Sequence, residues 1–333
     1  MEPGISVILC CYNSSLRLPE TIKHLAGQQV SPNIPWEVIV VNNASTDNTR
    51  EVARQEWAKY NVPHTGFTIL DQPTPGKNYA FKTGVNHAKY AYVLTCDDDN
   101  WLAPNYIEKA FGIMSADPKI GALGAHAVFA PQEPLNKEIA NFTNFFVNGP
   151  QTWVAKDHWV YGAGSVYRKS ILQDLFNNGW QQVTTGRTGT SLICGEDVEI
   201  CFMIYLSGYK IVADDKLLFK HFVPAQRQKL AYIVSLSFWL SYTNVLLNSY
   251  FAILNNDERP IKQIMDNWFK GATKTLLKQT LIFGYYKTIS LGKPTAEQQI
   301  TFNKIYGTWS ALFKNRKRVI DHHNKTKALL AIK

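Results

Sequence analysis

The 333-residue chain has few of the features that staple small secreted folds or cradle phosphate through glycine. Its five cysteines, Cys10, Cys11, Cys96, Cys194 and Cys201, are an odd number at spacings that fit neither a disulfide framework nor a zinc site. Cys10, Cys11 and Cys96 lie in apolar runs, where a free thiol behaves as a small buried hydrophobe, so a reducing compartment is expected. Met1-Glu2-Pro3-Gly4 is not a basic stretch leading into an apolar one, and no secretory signal is expected there. Residues 10–18 contain no glycine and one base, Arg17. An enzyme that makes activated sugars by nucleotidyl transfer would be expected to carry a glycine-rich, basic phosphate loop at that point, so its absence argues against that class. Internal repeats and low-complexity tracts are also missing.

Acid is scarce in the last third. Residues 1–225 carry 18 Lys+Arg and 21 Asp+Glu, net −3, whereas residues 226–333 carry 17 and 5, net +12. Such asymmetry suggests that the C-terminal part meets an acidic surface, anionic lipid or nucleic acid. A non-enzymatic nucleic-acid-binding protein would account for the basic tail but for none of the acidic motifs upstream, so no nucleic-acid partner is expected. Hydrophobic content of 45% and aromatic content of 13% supply an ample core.

The first half alternates short apolar runs with helical patterns. Residues 5–11, 36–41, 67–70 and 91–96 read as strands, rich in Val and Ile and nearly free of charge, as in parallel strands buried on both faces. Residues 19–29, 47–60 and 77–89 read as the intervening helices, the second opening on the capping residues Ser45-Thr46-Asp47-Asn48. This order predicts an open α/β sheet whose ligands bind at the carboxyl ends of the strands. Tyr12-Asn13, Asn42-Asn43 and Asp97-Asp98-Asp99 fall at three such ends. Asn100-Trp101-Leu102-Ala103-Pro104 then looks like the start of a helix. Further on, Gly162-Ala163-Gly164 is a small-residue turn that admits close approach to the backbone; Gly195-Glu196-Asp197 then leads into an apolar helix at 198–206 with Gly208 as its expected C-cap, and residues 209–213 and 217–221 follow as two more apolar runs. Residues 230–256 are uncharged over 27 positions, long enough to span a bilayer, although their Ser, Tyr, Thr and Asn make a poor lipid-exposed span. Residues 261–286 and 302–320 interleave Lys and Arg with aromatic and aliphatic side chains, a pattern shared by helices lying on a membrane and by helices packed on a domain with lysines toward water.

Adjacent carboxylates at a strand end need a cation or hydrogen-bond donors to stay ionised together, and hard divalent ions favour oxygen ligands. Glu196-Asp197 lies at a helix N-terminus, which stabilises carboxylates and keeps a base ionised. Lys77, in Pro75-Gly76-Lys77-Asn78, heads the helix before the aspartate strand.

In this order, Ile5-Ser6-Val7-Ile8 with Tyr12-Asn13, Val40-Val41-Asn42-Asn43-Ala44-Ser45-Thr46-Asp47, Gly84 with Ala88, Asp97-Asp98-Asp99 with Pro104, and Gly195-Glu196-Asp197-Val198-Glu199 with Gly208-Tyr209 and His221 make the chain resemble the family 2 glycosyltransferases. The resemblance covers about residues 4–223. It implies a GT-A fold, an α/β architecture with a mostly parallel sheet comprising a Rossmann-like nucleotide-binding half and an acceptor half. Residues 1–224 would be the catalytic domain and 225–333 a helical, basic extension. The implied activity is inverting, metal-dependent transfer of a sugar from a nucleotide-diphosphate sugar, a UDP-sugar first, to a hydroxyl of a glycan or lipid-linked acceptor. The implied cofactor is Mn2+ or Mg2+. The resemblance implies Asp197, with Glu196 beside it, as the general base. Cys11, Tyr12, Asn13, Asn42, Asn43, Lys77, Asp97, Asp98 and Arg187 would bind the nucleotide sugar, Asp98 at the ribose, and Asp99, Asp97 and His221 would hold the metal. Arg187 lies in a Gly/Thr-rich stretch, residues 184–190. Two departures bear on specificity. The family often has Asp where Asn42 stands, and Gln226-Arg227-Gln228-Lys229 only partly matches the Q-x-x-R-W motif of processive synthases, so one sugar per encounter is expected. The expected location is cytoplasmic, peripheral at the cytoplasmic face through an anionic membrane surface meeting residues 226–333.

Overall fold

Strand β1 (Glu2–Cys11) occupies an interior place in the sheet, with Ile5, Val7, Ile8 and Leu9 all buried. The structure, a computed structural model, describes residues 1–187, 191–288 and 294–331. After β1 come α1 (Leu18–Ala26), β2 (Trp36–Asn43), α2 (Thr49–Ala58), β3 (Gly66–Gln72), α3 (Lys77–His87) and β4 (Tyr90–Thr95). There follow β5 (Asn100–Leu102), α4 (Tyr106–Ala116), β6 (Ile120–Pro131), α5 (Lys137–Ala140), β7 (Val166–Arg168), α6 (Lys169–Asn177), α7 (Glu196–Leu206) and β8 (Lys210–Val223). Three long helices, α8 (Leu230–Leu254), α9 (Ile261–Thr288) and α10 (Ala296–Ala331), complete the described chain.

The chain forms two compact units. The first comprises Met1–Gln132, Phe146–Gly179 and Glu196–Val223. Among its described residues one eight-stranded sheet runs β3-β2-β1-β4-β7-β6-β8-β5. The pairs β3–β2, β2–β1, β1–β4 and β6–β8 are parallel; β4–β7, β7–β6 and β8–β5 are antiparallel. The mostly parallel α/β sheet read from the sequence is therefore borne out. One face of β1 and β2 packs with Leu18, Ile22 and Leu25 of α1 and Tyr106 and Ala110 of α4 in the main core. On the other face, a Cβ at Gly84 would come within 2.5 Å of Ile8 Cγ2, so glycine lets α3 lie directly on β1.

Two local expectations are corrected. Asn100-Trp101-Leu102 is not the start of a helix but β5, paired antiparallel with His221, Lys220 and Phe219 of β8; helix α4 begins at Tyr106. Trp101 stacks with Phe222 at 5.1 Å between centroids and Leu102 is buried, so tertiary packing overrides the local helix signal. The runs at 209–213 and 217–221 are one strand, β8, whose register against β6 slips between Gly124 and His126.

The second unit comprises Glu133–Phe145, Trp180–Gly195 and Pro224–Lys333. Helix α8 is, among the described residues, the one helix long and apolar enough by length and composition to cross a membrane. Its polar side chains nevertheless meet α10: Tyr242 Oη accepts from Asn315 Nδ2 at 2.6 Å, and Ser249 Oγ lies 3.0 Å from His322 Nδ1. Close approach of α8 and α10 is set at Gly307, where a Cβ would come within 2.3 Å of the Phe238 carbonyl oxygen. Helix α10 also holds the 180–187 segment, through His322 Nε2 to the Gln181 carbonyl at 2.8 Å and Arg318 Nη2 to that of Val183 at 2.5 Å.

Candidate active site

The carboxyl ends of β1, β2 and β4 lie side by side because their registers match: Cys11 pairs with Asn42, and Ile8 with Thr95. Beyond two of these ends the backbone turns through left-handed conformations at Asn13, φ 48°, and Ala44, φ 53°. Asn tolerates that region and Ala pays for it, so the turn after β2 is held by its surroundings. Asn13 supplies part of that hold: its N–H donates to Ser45 Oγ at 3.1 Å and its Oδ1 accepts from Thr46 N at 2.8 Å. Asp47 fastens the same loop, accepting from Ser15 N at 3.1 Å and Thr49 N at 3.0 Å.

Asn43 connects this loop to Lys77. Its amide donates to the carbonyls of Gln72 and Thr74 at 3.0 and 2.7 Å, and its Oδ1 accepts from Gly76 N at 2.8 Å. Gly76, at φ 136°, is the residue before α3, so buried Asn43 fixes the helix start from which Lys77 projects. Tyr12 is 48% exposed at the strand end. Asn42 donates to Asp71 Oδ1 at 3.0 Å, and Asp71 Oδ2 pairs with Arg50 at 2.5 Å. Cys11 is fully buried in the core, so its side chain serves packing and only its backbone borders the strand end.

The three aspartates are not equivalent. Asp98 points toward α1, where Arg17 grips it with Nη2 at 2.5 Å and Nε at 3.2 Å, and its carbonyl accepts from Thr21 Oγ1 at 2.8 Å. Burial and the adjacent Asp99 charge push the Asp98 carboxyl up, while the Arg17 fork pulls it back. Asp97 Oδ1 instead meets Lys77 Nζ at 2.8 Å, and the same ammonium lies 3.8 Å from Glu196 Oε1. Burial disfavours the Lys77 charge, but Asp97 and Glu196 outweigh it and raise its pKa, so the ammonium stays protonated. Beneath it, burial pushes the Cys10 thiol up to about 12, leaving it a neutral wall of the site.

Asp99 faces β8. Asn100 Nδ2 donates to its Oδ1 at 3.1 Å, and His221 Nε2 lies 3.8 Å from the same oxygen. His221 Nδ1 is 3.0 Å from the Val147 carbonyl, which can only accept, so Nδ1 carries the proton. In the neutral ring the Nε2 lone pair then faces Asp99, the tautomer a metal-ligating histidine needs. Asp97, by contrast, is engaged by Lys77, and no group of three His, Cys, Asp or Glu side chains converges among the described residues.

Asp197 stands in the first turn of α7. Its Oδ2 accepts from Gly162 N at 2.6 Å and its Oδ1 from Val198 N at 2.9 Å. A Cβ at Gly162 would lie 3.0 Å from Asp197 Cβ and 3.2 Å from Oδ2, so the small-residue turn admits the carboxylate itself against the backbone. Burial and the Asp197 charge push the neighbouring Tyr161 phenol above its ordinary range. The strand ends, α3 and α7 thus bring Asp97, Asp99, His221, Lys77, Glu196 and Asp197 into the first unit. Arg187 belongs to the second unit, and residues 188–190 of its stretch lie outside the described residues. Arg17 and Asp71 are members of these constellations that the motifs do not single out; their partners lie 81 and 29 positions away, and only the basic character of Arg17 in an otherwise uncharged loop hints at one of them, whereas the Gly162 turn, expected to admit close approach to its backbone, receives the Asp197 carboxylate.

A sheet of this order with acidic groups gathered beyond its strand ends is the architecture of GT-A glycosyltransferases, and the chain is similar in fold to one of them. The mannosyltransferase PcManGT from Pyrobaculum calidifontis, solved in complex with GDP-Man and Mn2+, matches with a TM-score of 0.55 at 18% identity, over 100% of this chain and 76% of that one. The chain belongs to glycosyl transferase family 2, whose model matches residues 6–176. Curated relatives include the poly-beta-1,6-N-acetyl-D-glucosamine synthases of Staphylococcus aureus strain COL, 26% identical over 217 residues, and of Staphylococcus epidermidis, 26% identical over 230 residues. These alignments take in 62% and 66% of this chain but 47% and 50% of the synthases, so the chain spans about half the length of the curated relatives it matches.

Proposed function

We propose that the chain transfers a sugar, with inversion and with a divalent metal, from a nucleotide-diphosphate donor to a hydroxyl of a glycan or lipid-linked acceptor. The observation that carries this reading is Lys77, whose ammonium stands 2.8 Å from Asp97 and 3.8 Å from Glu196 and so ties the aspartate loop to the helix that bears Asp197. In the proposed division of labour, residues 1–224 catalyse and residues 225–333 form a helical, basic extension that meets an anionic membrane surface from the cytoplasmic side.

The residues fit a divalent ion. Asp99 and His221 would hold it, a carboxylate and an imidazole whose Nε2 lone pair is aimed by the Val147 carbonyl. Magnesium favours all-oxygen shells, so of the two candidate ions manganese suits this mixed set better. When bound, the ion supplies Lewis-acid neutralisation of a leaving diphosphate. Lys77 adds a fixed positive charge on the same side. Asp98 and Arg17 hold the loop in position, while Tyr12 and Asn42 flank the base, with Asn13 and Asn43 shaping the turns beneath it. Asp197 accepts the proton of the attacking hydroxyl. Its two backbone donors keep the carboxylate oriented at the helix N-terminus, as a general base within reach of a hydroxyl must be.

The polymer for which the similar synthases are named makes N-acetylglucosamine the first sugar to test, and the Mn2+ of the mannosyltransferase complex supports a metal. The test is release of nucleoside diphosphate from UDP- and GDP-sugars with Mn2+, with Mg2+ and with EDTA. Release from UDP-N-acetylglucosamine that EDTA abolishes supports the reading. Undiminished activity in EDTA, or in an Asp99→Ala protein, overturns the metal role.

A further inference from the structure

In α9 the residues Phe269, Thr273, Leu277 and Leu281 recur every fourth position and so form one ridge of the helix. Its neighbours on α10 are defined by three contacts: Phe269 lies 6.4 Å from Phe313 between ring centroids, Trp309 Nε1 donates to Thr273 Oγ1 at 3.1 Å, and Phe283 stacks with Phe302 at 4.5 Å. The two helices therefore run antiparallel, and the ridge follows the α10 aromatics from Phe313 toward Phe302. This seam is open to solvent. Leu277 is 64% exposed, Leu281 77% and Phe313 62%.

Cations line both sides of the seam. Lys270, Lys274 and Lys278 form the adjoining row of α9, Lys314 and Lys317 follow Phe313 on α10, and all five are exposed. The Arg316 guanidinium lies over the Phe269 ring, 4.2 Å from its centroid. Residues 267–288 and 298–320 contain no Asp or Glu at all. An exposed apolar stripe on a water-soluble surface is unfavourable unless something covers it. Aliphatic side chains between lysine rows match the boundary of a bilayer, where acyl chains lie beneath phosphates.

We propose that this face of the α9–α10 pair docks on an anionic bilayer, with Leu277, Leu281 and Phe313 entering the headgroup–acyl boundary and the lysines meeting lipid phosphates. The proposal deepens the membrane-surface part of the reading above. It does not depend on the donor chemistry, because vesicle binding is read without substrate and UDP binding is read separately on the same proteins.

The full chain is sedimented with vesicles of phosphatidylcholine alone and of phosphatidylcholine mixed with phosphatidylglycerol. Binding is expected to the mixed vesicles only and to weaken as salt rises. Leu277→Glu with Leu281→Glu should lower the partition coefficient at least about tenfold, since it removes apolar insertion and adds like charge against the lipid. Lys270→Gln, Lys274→Gln and Lys278→Gln together should give a comparable loss and a flatter salt dependence. These side chains are exposed, so circular dichroism and melting temperature should match the parent protein. Equal binding by parent and variants, or no binding by the parent, overturns the proposal. Concentration-dependent dimerisation abolished by the leucine variant, or salt-sensitive binding to RNA in preference to the mixed vesicles, overturns it too by assigning the face to another occupant.

Discussion

The backbone amide of Gly162 donates to Asp197 Oδ2 at 2.6 Å, joining the turn before β7 to the first turn of α7. The contact is possible because residue 162 has no side chain. Gly162→Ala puts a methyl 3.0 Å from Asp197 Cβ and 3.2 Å from Oδ2, so the carboxylate must shift. Displacement of a reacting group by a fraction of an ångström to one ångström costs up to about 100-fold in rate. We expect Gly162→Ala to lower kcat by roughly 10- to 100-fold with nucleotide affinity unchanged. Steady-state kinetics paired with UDP titration check this.

Asp47 should make stability depend on pH. Burial opposes its charge, but hydrogen bonds from Thr49 and Ser15 outweigh burial and hold the carboxyl below its usual range. A group whose folded pKa is depressed stabilises the fold above its unfolded pKa, and that contribution is lost as pH falls through the folded value. Asp47→Asn should therefore cost roughly 1 kcal/mol at neutral pH, as expected for hydrogen bonds to a charged acceptor near the surface. The difference should vanish below the folded pKa. Urea unfolding of both proteins at neutral pH and at acid pH measures it.

Gly307→Ala sets two effects against each other in α10. Alanine gains about 1 kcal/mol over glycine in helix propensity. Its methyl would meet the Phe238 carbonyl oxygen at 2.3 Å and the carbonyl carbon at 3.0 Å, both backbone atoms of α8 that cannot swing aside. Overpacking against a rigid neighbour costs about 1–3 kcal/mol. We expect net destabilisation, read as a lower melting temperature, whereas Gly271→Ala on α9, where a Cβ meets nothing within 4 Å, should be neutral or stabilising.

How far the sequence carried can be judged from particular residues. Strands β1, β2 and β4 were legible because continuous burial on both faces leaves an unbroken apolar run, and Gly208, expected as a helix C-cap, indeed turns at φ 87° after α7. Strand β5 was not, because three residues at a sheet edge carry no periodicity and are held by Phe222 and β8, over a hundred positions away. The acidic groups were legible as motifs, whereas their inequivalence was not. Asp98 turns to Arg17 and Asp97 to Lys77 through pairings that only the fold creates. Asn13 and Asn43 were read as ligand contacts, yet their polar atoms are largely taken up in fixing turns, Asn43 at the start of α3 that presents Lys77.

That Asp197 takes the proton of the attacking hydroxyl is the step on which the proposed mechanism turns. Its most direct measurement compares sugar transfer from UDP-N-acetylglucosamine, in Mn2+, by the parent protein and by Asp197→Asn, with UDP affinity determined for both. The asparagine keeps the size of the side chain and an oxygen for the Gly162 amide but cannot serve as base. Loss of transfer by about 100- to 10,000-fold at unchanged UDP affinity is the predicted result. Transfer by Asp197→Asn at the parent rate would contradict the account.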